Sequence, residues 1–345
     1  MLSIFDHGEG PWNHPRWLVG SANVDSFADA HWQRGPAVFT PEAPASPFDL
    51  DELDAAFDRG LLRTPYLELV RSDKVTVPPD AYTTPRVVNG RTHDGFADRA
   101  KVLALLRAGS TLLLRYVDQW HGPTRELVAR LSEELDRRVE AFFFVTPPGG
   151  QGLAVHRDDA DVLVLQVAGR KTWYVHDAPA VADWSPGELP DDERSPRLLR
   201  GVLEPGTVLY VPRGFAHRAV GASGLSAHLS LTIRDLSLQD LRTALEELLC
   251  EGLALPALPL GEAAITDACA ALLGQVRARL ETVGAEELRL AARAARPRPP
   301  DATARAETIA GTAQDWEAGG SGAGGGTAAV SRAWSRLRAG ARGGR

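Results

Sequence analysis

Hydrophobic positions follow two rhythms along this chain. Between residues 141 and 235 they come in short runs or alternate with polar residues, and Gly, Pro and Asp clusters separate the runs. That texture predicts short β-strands. The predicted strands are Ala141–Thr146, Asp161–Val167, Lys171–His176, Thr207–Val211 and Leu225–Ile233. DVLVLQV and KTWYV flank Gly169-Arg170 and read as a hairpin. Many short strands with such punctuation predict a sandwich or jelly roll.

Elsewhere the rhythm is helical. Asp25–Gln33 carries Phe27 and Trp32 and stops at Gly35-Pro36, and a second helical piece is Asp49–Phe57. Val102, Leu103, Leu105 and Leu106 predict a helix ending near Gly109, Thr111–Val117 a strand, and Thr124–Leu135 a helix with one apolar stripe. After Arg234, Ser237 and Asp240 form a capping pair. Leu238, Leu241, Leu245, Leu248 and Leu249 make one stripe, and Ile265, Cys269, Leu272, Leu273, Val276 and Leu280 another. These helices can pack on the β core or against a second copy in a homodimer, and both arrangements fit the pattern. The chain thus divides into a mixed α/β flank (1–100), a β core (101–235), a helical region (236–296) and a Gly/Ala/Arg-rich tail (297–345). The tail contains GGSGAGGG, a flexible-linker composition, and is expected to be disordered.

Composition narrows the class. An apolar content of 44% and a net charge of −7 describe an ordinary soluble globular protein and argue against general nucleic-acid binding. Cys250 and Cys269 lack ligand spacing, so a disulfide framework is not expected and a reducing cytoplasm fits. No basic and apolar leader opens the chain, and no run reaches the roughly 18 apolar residues of a membrane span.

The candidate chemistry sits in AVHRDDADVLVLQVAGRKTWYV, residues 154–175. His156 and Asp158 are two apart, which on a strand puts both on one face. His217, in GTVLYVPRGFAHRAV, is the best third ligand. Two histidines and one carboxylate make the facial triad of non-haem Fe(II) oxygenases. HxD alone is a weak signal, and a lone histidine is more often structural. Lys171 adds weight: pointing inward, it needs an anionic partner. The distal carboxylate of 2-oxoglutarate would be one.

HRDDADVLVLQVAGRKTWYV, preceded by VTPPGGQGLAV and followed by PGTVLYVPRGFAH, resembles the JmjC/cupin group of protein hydroxylases, the ribosomal oxygenases. DSFADAHWQRGPAVF resembles their opening segment, and the similarity spans roughly residues 15–235. The resemblance implies a double-stranded β-helix with Fe(II) as metal and 2-oxoglutarate as cosubstrate. It implies His156, Asp158 and His217 as ligands and Lys171 as the cosubstrate's base. Thr146 and His228 are carried over on the cosubstrate side, although His228 reads equally as a satisfied core histidine. The implied reaction hydroxylates a protein or peptide side chain and decarboxylates 2-oxoglutarate to succinate. Demethylation uses the same chemistry. Two positions depart from the family's Asn-x-Tyr-x-Thr-Pro-Pro pattern: Phe142 replaces the amide and Phe144 the phenol. Iron binding survives that change, while the family's usual substrates are put in question.

Other residues have quieter expectations. Gln166 hydrogen-bonds in the pocket if it faces inward. Trp173 reads as a packing residue before a substrate platform, Asp159 and Asp161 crowd the metal motif and either steady one of its ligands or, the safer assignment, belong to a solvated loop, and Arg115, Tyr116 and His121 are candidates for the cleft's border. Two other classes compete. One is a non-catalytic cupin-fold binding or scaffold protein with a vestigial metal site, against which the intact His156, Asp158, Lys171 and His217 speak. The other is a metal-dependent isomerase or dioxygenase without 2-oxoglutarate, which has no need of Lys171.

Overall fold

In the computed structural model the described residues are 16–42, 46–71, 75–151, 153–181, 183–189, 197–255 and 257–295. The tail expected from residue 297 lies outside them. The strands run β1 (Ala37–Phe39), β2 (Leu67–Val70), β3 (Thr83–Val88), β4 (Arg91–Ala97), β5 (Thr111–Leu114), β6 (Arg138–Thr146), β7 (His156–Arg157), β8 (Asp161–Ala168), β9 (Lys171–His176), β10 (Gly187–Glu188), β11 (Arg197–Leu203), β12 (Val208–Val211), β13 (His217–Gly221) and β14 (Ser226–Arg234). The α-helices are α1 (Arg16–Val19), α2 (Val24–Ser26), α3 (Leu50–Arg59), α4 (Arg99–Arg107), α5 (Val117–Trp120), α6 (Gly122–Leu135), α7 (Leu238–Cys250), α8 (Gly261–Leu280) and α9 (Ala285–Ala294).

Two antiparallel sheets make the jelly roll that the strand pattern predicts. The larger has the order β1-β12-β8-β14-β6-β5-β2, the smaller β10-β7-β13-β9-β11. Strands β1 and β2, from the first hundred residues, form the two edges of the larger sheet. Period-two alternation decides what each face buries. On β6 and β14, Ala141, Phe143, Val145, Leu229, Leu231 and Ile233 turn outward into one core cluster with Leu127 and Leu131 of α6. The residues between them, Phe142, Phe144, His228, Ser230 and Thr232, turn toward the smaller sheet and line a cavity. A second apolar cluster joins the sheets through Val162, Val164, Trp173, Val175, Leu209 and Val211.

Local sequence explains the helix limits. Asp49 caps α3 by accepting from the Glu52 amide at 2.9 Å, and Asp98 caps α4 from the Ala100 and Lys101 amides. Ser237 and Asp240 form the expected capping box at the start of α7. The expected helix at Asp25–Gln33 is composite: a 3-10 turn at Ser21–Asn23, then α2, then a π-helical turn at Phe27–His31. The strand expected over Thr111–Val117 stops at Leu114, because Tyr116 adopts a left-handed conformation (φ 50°) that starts α5.

Two expectations change. DVLVLQV and KTWYV are not a hairpin: β8 pairs with β12 and β14, whereas β9 pairs with β11 and β13. The Gly169-Arg170 link carries the chain from one sheet to the other. The hairpin that does form is β3–β4, turned at Asn89-Gly90, both with positive φ. That dipeptide is a strong hairpin signal. The reading by apolar alternation missed it because most of β3 and the first half of β4 are exposed.

Gly169 makes the crossing close. Its φ is +60°, and a Cβ there would lie 2.0 Å from the Leu225 carbonyl oxygen. Gly169→Ala is therefore expected to destabilise the fold by about 1–3 kcal/mol or more. Denaturant unfolding of the two proteins checks this, and an unchanged midpoint would contradict the backbone contact.

Candidate active site

Strand pairing brings the two histidines together. His217 of β13 lies directly opposite His156 of β7, with ring centroids 4.3 Å apart. Each ring is turned by its own chain. His156 Nδ1 lies 2.8 Å from the Ala154 carbonyl and His217 Nδ1 3.0 Å from the Phe215 carbonyl. A carbonyl only accepts, so both Nδ1 atoms carry hydrogen and both Nε2 atoms offer lone pairs. Burial, and then the neighbouring His156, push the His217 imidazole down to about 4, which keeps it neutral near pH 7.

Asp158 completes the set. Its Oδ1 is 3.7 Å from His156 Nε2 and its Oδ2 3.5 Å from His217 Nε2. One ligand atom from each residue lies within 4.8 Å of the others, a spacing that can hold a metal ion. The donor set, two imidazoles and a carboxylate, suits a divalent metal with open positions. Asp158 does not reach the site by strand parity, however. β7 ends at Arg157, and Asp158 belongs to the loop that crosses to β8.

That loop is pinned at three points. The Gly214 amide donates to the Asp158 carbonyl at 3.0 Å. Asp161 accepts from the Tyr210 hydroxyl at 2.5 Å and the Arg213 amide at 3.2 Å. Asp159 pairs with Arg234, whose Nε also donates to Glu140 at 2.8 Å. Asp161 is thus buried structure and not part of a solvated loop, and burial raises its carboxyl above the usual range.

The other end of the cavity holds a buried lysine. Lys171 is 3% exposed and donates from Nζ to the Thr146 hydroxyl at 2.9 Å. Among the described residues no carboxylate pairs with it. Burial alone pushes its ammonium down to about 7. His228 is equally buried and lies flat against Phe144, with ring centroids 4.8 Å apart, and edge-on to Trp173. Its Nδ1 has no hydrogen-bond partner among the described residues. Burial, and then Lys171, hold the imidazole well below its ordinary value, so it is neutral.

Metal triad and lysine open on the same cavity of about 250 Å³. Trp173 lines it and stacks on His217, so it does more than fill the core. Arg115 lines it too, held by Glu68 at 2.6 Å, and Phe142 does so with the Tyr116 ring packed behind it. His121 does not border the cleft; it caps α6, with Nδ1 2.8 Å from the Thr124 hydroxyl. Gln166 faces inward but spends its amide on the Ala168 carbonyl at 2.8 Å and the Ser226 hydroxyl at 2.9 Å, bracing the crossing between the sheets. Sequence reasoning missed Glu140 and Arg234. Their signal was parity: Glu140 shares the inward face of Phe142 and Phe144, and Arg234 that of His228.

Residues 120–241 match the family model of the JmjC domain. This segment is a JmjC domain. It holds His156, Asp158, His217, Lys171, Thr146 and His228, and the chain is similar in sequence to ribosomal oxygenases. Ribosomal oxygenase 1 of Gallus gallus is 34% identical over 218 residues, which is 59% of this chain and 33% of that protein. The protein of the same name from Bos taurus is 29% identical over 225 residues, 63% of this chain and 32% of its own length. The chain thus spans about a third of the length of these curated relatives. The solved structure of E. coli YcfD superposes with a TM-score of 0.50 at 21% identity, covering 76% of this chain and 68% of that chain, which is a likeness of fold. Among the described residues no helix is long and apolar enough to cross a membrane.

The JmjC domain's buried lysine has a measurable consequence. Burial lowers its folded pKa to about 7 from the ordinary lysine value of 10.5. The unfolded chain therefore binds the extra proton between about pH 7 and 10.5, and stability rises with pH through that window. Lys171→Met is expected to melt higher than the native chain at pH 6.5, by about 4 °C or more. The difference should shrink toward pH 10. Melting curves at both pH values check it, and a difference that is constant or grows with pH would contradict the buried ammonium.

Proposed function

We propose that the chain is an Fe(II)- and 2-oxoglutarate-dependent oxygenase that hydroxylates a side chain of a protein or peptide. One observation carries this reading. A single cavity joins a His/Asp/His donor set to a buried lysine that, among the described residues, has no acid beside it. The first fits a divalent metal and the second fits the far end of a dicarboxylate. The names of the relatives support it: ribosomal oxygenase 1, and in Aedes aegypti a bifunctional lysine-specific demethylase and histidyl-hydroxylase NO66, 28% identical over 224 residues.

Each residue then has a task. Nε2 of His156, Nε2 of His217 and the Asp158 carboxylate would hold Fe(II). Lys171 and the Thr146 hydroxyl would hold the distal carboxylate of 2-oxoglutarate. Neutral His228, fixed between Phe144 and Trp173, would donate a hydrogen bond in the same pocket. The bound iron and cosubstrate would supply oxidation of a C–H bond coupled to decarboxylation of 2-oxoglutarate to succinate. Phe142, Phe144 and Leu153 would keep bulk water from the reacting centre. Lys171 protonates readily once an anion sits beside it, because the carboxylate offsets the desolvation of its ammonium. A protein substrate follows from the relatives' names, and a ribosomal protein is the first to try.

The exposed apolar residues of α8, among them Ile265, Leu273 and Leu280, fit a homodimer contact through the helical region.

The test is spectroscopic and isotopic. Under anaerobic conditions, Fe(II) and then 2-oxoglutarate should produce the visible charge-transfer band of the chelate. His156→Ala should abolish the band. Lys171→Ala should require at least about 100-fold more 2-oxoglutarate, a loss of roughly 3 kcal/mol for an unpaired carboxylate. With ¹⁸O₂, one oxygen atom should enter succinate. No band from a folded protein, with Fe(II) left free in solution, would sink the oxygenase reading.

A further inference from the structure

The two histidines of the triad are oriented by backbone carbonyls, but Asp158 is not. Its carboxylate has no contact among the described residues besides the two imidazoles, and its side chain is 37% exposed. Among the described residues, the Gly214 amide is the backbone contact that holds it. Where the carboxylate points therefore depends on the loop, and so on what grips the next residue. Asp159 is gripped by Arg234. Arg234 stands at the end of β14, in the larger sheet, whereas His156 and His217 belong to the smaller one. The pair spans the cavity that both residues line.

The far side of the grip is rigid. Arg234 Nε donates to Glu140 Oε2 at 2.8 Å, and the other oxygen of Glu140 takes Arg138 Nη2 at 2.7 Å. Glu140 is 4% exposed and sits mid-strand on β6, opposite Thr232 of β14. A carboxylate buried there needs its guanidinium partners to satisfy its oxygens. The anchor of Arg234 is therefore fixed. A free surface ion pair is worth little; one whose cation is tethered in a buried network has already given up most of its conformational freedom and can hold a loop.

We propose that Arg234 is a positioning residue: anchored on Glu140, it holds Asp159 so that the carboxylate of Asp158 faces the two histidines. This rests on the metal-binding part of the function proposed above. It gives Asp159, which the sequence places beside the metal motif, a definite partner, and it assigns to Glu140 and Arg234 a task that composition and motif spacing do not suggest. It also explains why two acids stand side by side at 158 and 159: one faces the metal position and the other faces the anchor.

The experiment is an anaerobic Mn(II) titration of the folded chain, followed by calorimetry and by the Mn(II) electron paramagnetic resonance signal. Asp159→Ala removes the loop's end of the grip and leaves Glu140 paired; Arg234→Met removes the bridge. Each is expected to weaken Mn(II) binding about 10-fold or more, the usual cost of losing a partner that orients a ligand. The double variant should be no weaker than the worse single one, because both changes break the same link. Arg234→Lys, a point charge that cannot span both carboxylates, should recover only part of the loss. Melting of the metal-free Asp159→Ala protein should move by no more than about 4 °C. Both variants folded and binding Mn(II) within twofold of the native chain would overturn the proposal, leaving the Asp159 pair a surface ion pair. Independent, additive losses would also overturn it. A native chain that binds no Mn(II) at all overturns the oxygenase reading and this proposal with it.

Discussion

An ammonium group buried between two sheets, with a hydroxyl for company and no carboxylate beside it among the described residues, is the constraint around which this molecule is arranged. Protein interiors rarely tolerate such a group, since desolvation of an unpaired charge is expensive. Lys171 occupies that position because β9 turns its odd residues inward, so Lys171, Trp173 and Val175 share a face. The cost is met by the rest of the fold. Core clusters on both sides of the larger sheet hold the cavity open and fixed, and the Thr146 hydroxyl accepts one of the three ammonium hydrogens. The proposed distal carboxylate of 2-oxoglutarate would supply the anion that this position lacks.

The metal triad depends on the same geometry by a different route. Antiparallel register, not sequence proximity, places His156 opposite His217. Their Nδ1 contacts to carbonyls two residues back are local and cheap, and they leave both Nε2 atoms aimed at one point. The carboxylate is the member that no strand carries, and the fold compensates with anchors on the loop that carries it. The two ends of the cavity thus differ in kind. One is made of strand register and is hard to disturb. The other hangs on a crossing loop, where side-chain contacts decide the geometry.

Much of this was legible in the sequence. The alternation in SAHLSLTIR and VEAFFFVT predicts both the strands and which residues face inward. The HxD spacing, the distant His217 and the isolated Lys171 point to the chemistry without any coordinates. What was illegible is long-range. Apolar alternation cannot say which strands pair, so β8 and β9, adjacent in sequence, look like a hairpin although they lie in different sheets. A short strand such as β7 carries too few residues for parity, and so Asp158 was placed on a strand it does not belong to. The Glu140–Arg234–Asp159 network joins residues up to 94 positions apart, which no local pattern reports. Phe142 and Phe144 stood out as losses of polar groups; only their register opposite Ser230 and His228 reveals what each one faces.

The most direct measurement is a crystal structure of the chain grown without oxygen in the presence of Mn(II) and 2-oxoglutarate. The account predicts one metal ion bound by Nε2 of His156, Nε2 of His217 and the Asp158 carboxylate. It predicts the distal carboxylate of the cosubstrate within hydrogen-bond distance, about 3 Å, of Lys171 Nζ. A metal bound elsewhere, or a dicarboxylate that leaves Lys171 unpaired in an otherwise unchanged cavity, would contradict it.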